Sequence, residues 1–118
     1  MSLDIFRLSS LGYWNNISVK QATKLLLQYP DENNYILRNS SKDNGKLVIT
    51  IKIDRKRLIS LYIRTAGDNY SLDSDLETIP HFRSLDKFIE FYKKHGMPFD
   101  NNKLVFLLNP VVKKTSVL

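Results

Sequence analysis

Two stretches of this chain have the spacing of amphipathic helices. The first begins at residues 18–21, where the order Ser-Val-Lys-Gln matches a capping box: the serine accepts from the first turn and the glutamine reaches back. Apolar positions then follow at three- and four-residue intervals, at Ala22, Leu25, Leu26 and Tyr29. This spacing predicts one buried face. Pro30 predicts that the helix ends by Tyr29, because proline is not tolerated in a helix interior.

The second helix is predicted to start at Ser84. Its buried stripe would consist of Leu85, Phe88, Ile89 and Tyr92. Three basic residues, at positions 93–95, would lie in its last turn, where cations interact favourably with the helix dipole. Gly96 is then placed as the terminating residue.

Between the helices the pattern changes to alternation at every second residue, which is typical of strands. The predicted strands are residues 35–40, 47–53, 58–64 and 70–72, with a last one at 104–108. Asp43-Asn44-Gly45 and residues 54–57 have the composition of turns. The order of elements predicts an α+β fold, a central antiparallel sheet flanked by two α-helices.

One charged residue, Arg38, interrupts the apolar first strand. A buried guanidinium is costly unless an anion meets it. The neighbouring helix and strand offer no carboxylate at hairpin distance, so we expect an anionic ligand. By strand parity Arg38 shares one face with Ser40 and, in the hairpin register assumed here, with Val48, Thr50, Lys52, Ser60 and Tyr62.

Composition narrows the class of protein. With 118 residues the chain has the length of one domain, and the absence of cysteine excludes disulfides and thiolate metal sites. Its apolar runs are too short to span a membrane, so we expect no membrane span and a cytoplasmic location. The net charge of +6 predicts anionic partners and leaves nucleic acid, acidic lipid and phosphoprotein open.

The sequence offers few residues that could form a catalytic site. The two histidines, His81 and His95, have no further ligand at a metal spacing, and no serine–histidine or paired-carboxylate arrangement is evident. We therefore expect a binding protein rather than an enzyme, with no metal and no cofactor.

Four motifs, in the right order, resemble the Src-homology-2 family of phosphotyrosine-binding modules. They are residues 14–18 (Trp-Asn-Asn-Ile-Ser), the helix at 22–26, the strand at 35–40 (Tyr-Ile-Leu-Arg-Asn-Ser) and the stretch from Phe82 to Tyr92. The resemblance covers residues 11–110 and leaves 1–10 as an N-terminal extension and 111–118 as a tail. It implies the same helix–sheet–helix sandwich.

The resemblance also implies a phosphotyrosine site. Arg38 would grip the phosphate with its guanidinium fork, and the other pocket residues would be Ser40, Ser41, Lys42, Lys20, Thr50, Ser60 and Tyr62. The chain departs from the family where Val19 replaces a common arginine, and where Ser60 and Tyr62 replace a common histidine and lysine. Lys20, Lys42 and Lys52 are the candidate substitutes for the missing charges.

A peptide-specificity groove is implied beyond the sheet. It would be lined by Leu61, Ile79, Met97 and Phe99. The loop at 73–81 carries Asp73, Asp75 and Glu77, so we expect it to disfavour acidic peptide residues near the groove.

The sequence thus predicts a monomeric module that binds tyrosine-phosphorylated proteins or peptides and recruits its own protein to them, with no nucleic-acid partner. Two alternatives stay open: a basic nucleic-acid-binding domain that uses residues 55–57, Lys93 and Lys94, and a degenerate module kept for packing. The abundance of lysine, asparagine and isoleucine suits an AT-rich genome. A bacterial effector acting on signalling proteins in the host cytosol is therefore a further hypothesis.

Overall fold

The structure, a computed structural model, describes residues 12–14, 17–29, 33–40, 46–67, 69–73, 79–100 and 103–112. Its elements in chain order are β1 (Tyr13–Trp14), α1 (Val19–Leu27), β2 (Asn34–Asn39), β3 (Leu47–Lys52), β4 (Leu58–Ala66), β5 (Asn69–Leu72), α2 (Leu85–His95), β6 (Met97–Asp100), β7 (Lys103–Val105) and β8 (Asn109–Pro110).

Both helices begin at the predicted residues. The capping box is present, with Gln21 N donating to Ser18 Oγ at 3.1 Å and Ser18 N donating to Gln21 Oε1 at 2.9 Å. Ser84 caps α2 in the same way, accepting from Lys87 N at 3.2 Å. Gly96 ends α2 at a φ of 81°, and a Cβ there would lie 3.0 Å from that of Leu104, so both backbone and space require glycine.

Within the described residues, the central sheet runs in the order β1-β2-β3-β4-β5, and β8 also pairs with β2. The pairs β2–β3, β3–β4 and β4–β5 are antiparallel, as predicted. Strands β1 and β8 instead run parallel to β2 along the edge that β3 leaves free. The sequence analysis missed both, because a strand of two residues shows no periodicity.

The predicted last strand, residues 104–108, is shorter than expected. Its ladder ends at Val105, and β7 pairs with β6 in a small separate sheet rather than with the central one. The alternation that suggested a longer strand is real, since Val105 and Leu107 are buried while Phe106 is 36% exposed. Residues 106–108 belong to no strand, and the chain pairs again with β2 at β8.

The sheet separates a larger core from a smaller one. On one face the side chains of β2 and β3 pack with the buried stripe of α2, which consists of the predicted residues Leu85, Phe88, Ile89 and Tyr92. On the other face a smaller cluster joins Ala22 and Leu26 of α1 to Ile36 and Val111. The α+β sandwich is thus confirmed, and Arg38 lies on the face that α1 covers.

Candidate functional site

Arg38 is a buried cation in the middle of the sheet. It lies near the end of β2 and retains only 4% of its side-chain exposure. Its Nε donates a long hydrogen bond of 3.4 Å to Thr50 Oγ1, and Thr50 Oγ1 lies 3.0 Å from Ser60 Oγ. A polar chain therefore crosses three strands from Arg38 to Ser60.

The strand register explains why these side chains meet. Arg38 is opposite Val48, and Val48 is opposite Tyr62. Two residues further along β3, on the same face, Thr50 lies between Ile36 of β2 and Ser60 of β4. Residues directly opposite each other in antiparallel strands share a face, so the assumed hairpin register is confirmed.

The charge of Arg38 has no acidic counterpart within the described residues. No carboxylate there forms an ion pair with it, and none is among the groups that shift its pKa. Burial lowers the pKa of Arg38, while its electrostatic interaction with Tyr62 acts in the opposite direction. A guanidinium has five N–H donors and stays protonated in proteins. Thr50 occupies only one donor, so the group can still bind an anion.

The surroundings of Arg38 are held by contacts that the sequence analysis did not predict. Trp14 pairs with Arg38 across the parallel β1–β2 ladder, and its Nε1 donates to Val111 O at 2.6 Å. The hydroxyl of Tyr13 donates to Asn39 Oδ1. The signal for these contacts was weak, because they join positions far apart in the sequence.

Ser40 follows directly after β2 and is buried, and its backbone N–H donates to Lys46 O at 2.7 Å. This hydrogen bond joins the end of β2 to the residue that precedes β3. The predicted loop ligands Ser41 and Lys42 lie outside the described residues. Their roles remain predictions.

The two other candidate lysines lie away from Arg38. Lys20 precedes the buried Ala22 by two residues, which places it about 200° around the helix, on the solvent side. Lys52 is on the Arg38 face of β3, four residues beyond Val48, which is opposite Arg38, so its Cα lies roughly 14 Å from that of Arg38. Its ammonium group donates to Tyr29 O at the end of α1, so in this conformation Lys52 attaches the helix to the sheet.

The remaining pocket candidate, Tyr62, is 38% exposed on the Arg38 face. Of the groove candidates, Leu61, Ile79 and Phe99 are partly buried and pack against the larger core. Met97 has no exposed surface. It can support a groove from below in this conformation, but it cannot line one.

One expectation about the loop after β5 needs correction. Asp73 was expected to repel acidic peptide residues, but its Oδ1 lies 2.5 Å from Arg64 Nη2. The carboxylate charge is therefore balanced by a guanidinium. Asp75 and Glu77 lie outside the described residues.

Two further features concern the whole described chain. No helix in it is long and apolar enough to cross a membrane. Nor do its histidine, aspartate and glutamate side chains form a group of three that could hold a metal ion.

Comparison with known proteins follows this geometry. The sequence profile of the SH2 domain matches residues 13–92, a range that includes β1, α1, the meander and most of α2. Tyrosine-protein phosphatase corkscrew of Drosophila virilis is 28% identical over 98 residues, which are 83% of this chain and 12% of that protein. The chain therefore spans about an eighth of the length of this relative. SH2 domains are non-catalytic modules that bind tyrosine-phosphorylated peptides, and the chain belongs to the SH2 domain family.

Proposed function

We propose that this chain binds phosphotyrosine-containing peptides at the α1 face of its sheet and thereby recruits its own protein to tyrosine-phosphorylated partners. The phosphate would meet Arg38, with the hydroxyls of Ser40, Thr50 and Ser60 nearby. The aromatic ring would pass beside Tyr62.

The observation that carries the proposal is the buried guanidinium, whose donors are mostly unused among the described residues. Arg38 lacks a carboxylate partner among the described residues and uses one donor on Thr50. A phosphotyrosine carries about −1.5 to −2 charges near neutral pH and matches the planar fork of arginine. The ligand would therefore supply the anion that the fold does not.

The expected contribution of Arg38 is large. Removing one member of a buried, hydrogen-bonded charge pair costs about 2–5 kcal/mol. At 1.4 kcal/mol per decade, this corresponds to a loss of roughly thirty- to several-thousand-fold in affinity. Arg38→Ala should therefore abolish useful binding.

Calorimetry with a phosphotyrosine peptide and its unphosphorylated twin tests the proposal. We expect binding of the phosphorylated peptide alone. The Arg38→Lys variant keeps the positive charge but loses the planar guanidinium, so it should also bind the phosphorylated peptide much more weakly. Arg55→Ala is the matched control, because Arg55 is exposed in the hairpin between β3 and β4, away from the polar chain.

The nucleic-acid alternative is supported by the exposure of its candidate basic residues, at positions 55–57, 93 and 94. An oligonucleotide titration in increasing salt separates it from the proposal, since phosphate-backbone binding weakens steeply with salt. Binding of the oligonucleotide with no binding of the phosphopeptide would overturn the recruitment model.

The degenerate-module alternative makes the opposite prediction for the pocket. If the fold is kept only for packing, addition of phosphotyrosine should leave the amide chemical shifts around Arg38 unchanged. We expect those of Arg38 and Thr50 to move, because both lie in the polar chain.

The biological setting is a separate part of the proposal. We propose that the chain acts as a monomer, as part of a bacterial effector directed at host signalling proteins, on the basis of its composition. A genome without tyrosine kinases of its own would support this setting. A metazoan receptor-signalling context would overturn it and leave the binding proposal intact.

A further inference from the structure

Strand β4 extends beyond the strand on one side of it, so part of its edge is open. It pairs with β3 along residues 58–63 but with β5 only along residues 63–66. Past that ladder, Asp73 N donates to Tyr62 O at 3.0 Å. Among the described residues, no strand pairs with residues 58–61 on that side.

The direction of the backbone groups at this edge follows from two hydrogen bonds. Ile53 N donates to Arg57 O at 3.0 Å, and bonded pairs alternate with unbonded pairs in an antiparallel ladder. Odd-numbered residues of β4 therefore bond to β3, and even-numbered residues direct their N–H and C=O groups away from it. The bond that Tyr62 O accepts on the far side agrees with this alternation. Leu58 and Ser60 thus present two N–H and two C=O groups at the open edge.

The open edge is held extended and carries no charge. Leu58 packs against the smaller core, while Ile59 and Leu61 pack against the larger one. Residues 58–62 contain no proline and no charged residue, which are the features that commonly protect an edge strand from pairing. The backbone groups are therefore preorganised to accept a further strand.

This edge adjoins the proposed phosphotyrosine pocket. Ser60 Oγ is the end of the polar chain that starts at Arg38. Tyr62, beside which the aromatic ring would pass, is two residues further along the same strand. At about 3.3 Å per residue, residues 58–60 have the length of two or three residues of an extended peptide. One peptide can therefore fill the pocket and lie along the edge.

The positions of the groove candidates indicate which part of the peptide reaches the edge. Leu61, Ile79 and Phe99 pack against the larger core, on the α2 side of the sheet. With the residues that follow the phosphotyrosine in this groove, the residues that precede it continue past Ser60 towards Leu58.

We propose that the residues before the phosphotyrosine add a strand to the open edge of β4, with main-chain hydrogen bonds to Leu58 and Ser60. This segment contributes affinity through its backbone, so its side chains matter less than its extended conformation. The inference rests on the proposed function. It adds that a partner must supply an extended segment ahead of its phosphotyrosine.

Fluorescence polarisation with two phosphopeptides tests the contribution of this segment. Both carry the same residues after the phosphotyrosine, and only one carries three alanines before it. A net hydrogen bond corresponds to about two- to twelvefold in affinity. We expect the peptide without the alanines to bind more weakly by at least this factor, and exchange of the alanines for serine or valine to have little effect.

Replacement of single peptide amides by esters identifies the bonds, because each ester removes one N–H and keeps the side chain. Only every second N–H of a strand faces a given neighbour. Esters at alternate positions before the phosphotyrosine should therefore weaken binding. The ester between them is the matched control and should leave the affinity close to that of the parent peptide.

Hydrogen exchange followed by NMR tests the same bonds on the protein. In the free protein, the amides of Leu58 and Ser60 should exchange much faster than those of Ile59 and Leu61, which bond to β3. The peptide with the three alanines should slow the exchange of the first pair, whereas the shorter phosphopeptide should not. The amides of Ile59 and Leu61 are the internal control, since their bonds to β3 are the same in both states.

The outcomes separate this inference from the proposed function. If neither phosphopeptide binds, the proposed function fails. If the two bind equally, or if the ester effect does not alternate or is confined to the residues after the phosphotyrosine, the added strand is wrong and the phosphotyrosine site stands. Slow exchange of Leu58 and Ser60 in the free protein would show that another part of the chain covers the edge, and would also overturn the inference.

Discussion

Arg38 shows how one residue combines an energetic cost with a capacity to bind. Its guanidinium is removed from water without a carboxylate from the described residues, and burial lowers its pKa. A desolvated cation of this kind destabilises the free protein and strengthens the binding of an anionic ligand. The stability of the free protein and the affinity for the ligand should therefore change in opposite directions when Arg38 is replaced.

We predict that Arg38→Met abolishes phosphopeptide binding without lowering the free energy of unfolding. An apolar side chain of similar length fills the space, and even the replacement of a buried ion pair by apolar residues is often neutral or stabilising by about 1–4 kcal/mol. Urea unfolding and calorimetry measure the two effects. A loss of stability above about 2 kcal/mol would show that Arg38 is a structural residue.

The affinity should also depend on pH. The second pKa of a phosphate ester on tyrosine is about 6, so the dianion is lost as the pH falls through that value. Arg38 keeps its proton throughout this range. We expect affinity to fall by up to about tenfold per pH unit below 6, measured by calorimetry from pH 7.5 to 5. A constant affinity across this range would contradict a dianionic ligand.

At the scale of elements, α1 packs on part of the polar face, over β2 and β3. Its first turn is fixed by the capping box between Ser18 and Gln21. Its last turn is attached to β3 through Lys52 and the carbonyl of Tyr29. The helix therefore determines how much of the Arg38 face is open to a ligand.

Loss of the N-cap should destabilise α1. Ser18→Ala removes the acceptor for Gln21 N, and such substitutions cost about 0.5–2 kcal/mol. We expect a fall in the free energy of unfolding within that range, measured by urea denaturation. Ser18→Asp keeps an N-cap acceptor and should stay close to the wild type. An equal loss in both variants would mean that the cap is not the cause.

At the scale of the molecule, one sheet separates two cores of unequal size. The larger one joins the sheet to α2, and the smaller one joins it to α1 and includes Trp14 at its margin. Because β2 and β3 contribute side chains to both faces, we expect the two cores to unfold together.

A substitution in the larger core tests this coupling. Phe88→Ala empties a fully buried site and should lower the free energy of unfolding by about 3–5 kcal/mol. Trp14 fluorescence reports on the opposite face. The unfolding midpoint that it measures should shift by the same amount as the midpoint measured by far-ultraviolet circular dichroism. Phe106→Ala, at a 36% exposed site, is the control and should cost much less. Separate transitions for the two signals would show that the faces unfold independently.

The sequence by itself determined the helices, the antiparallel meander and the face on which Arg38 lies. These features depend on local caps and on periodicities of two and 3.6 residues, which neighbouring residues specify. Strand parity also placed Thr50, Ser60 and Tyr62 beside Arg38, since a side chain can point only to one face or the other.

Only the tertiary structure decided the contacts between distant segments. These include the short strands β1 and β8 beside β2, the attachment of Lys52 to α1, and the pairing of Arg64 with Asp73. A two-residue strand has no period, and the partner of a long charged side chain depends on which segments the fold brings together. The interior position of Arg38 could be predicted from the residues next to it in the sequence. The charged groups around it depend on how distant segments pack together.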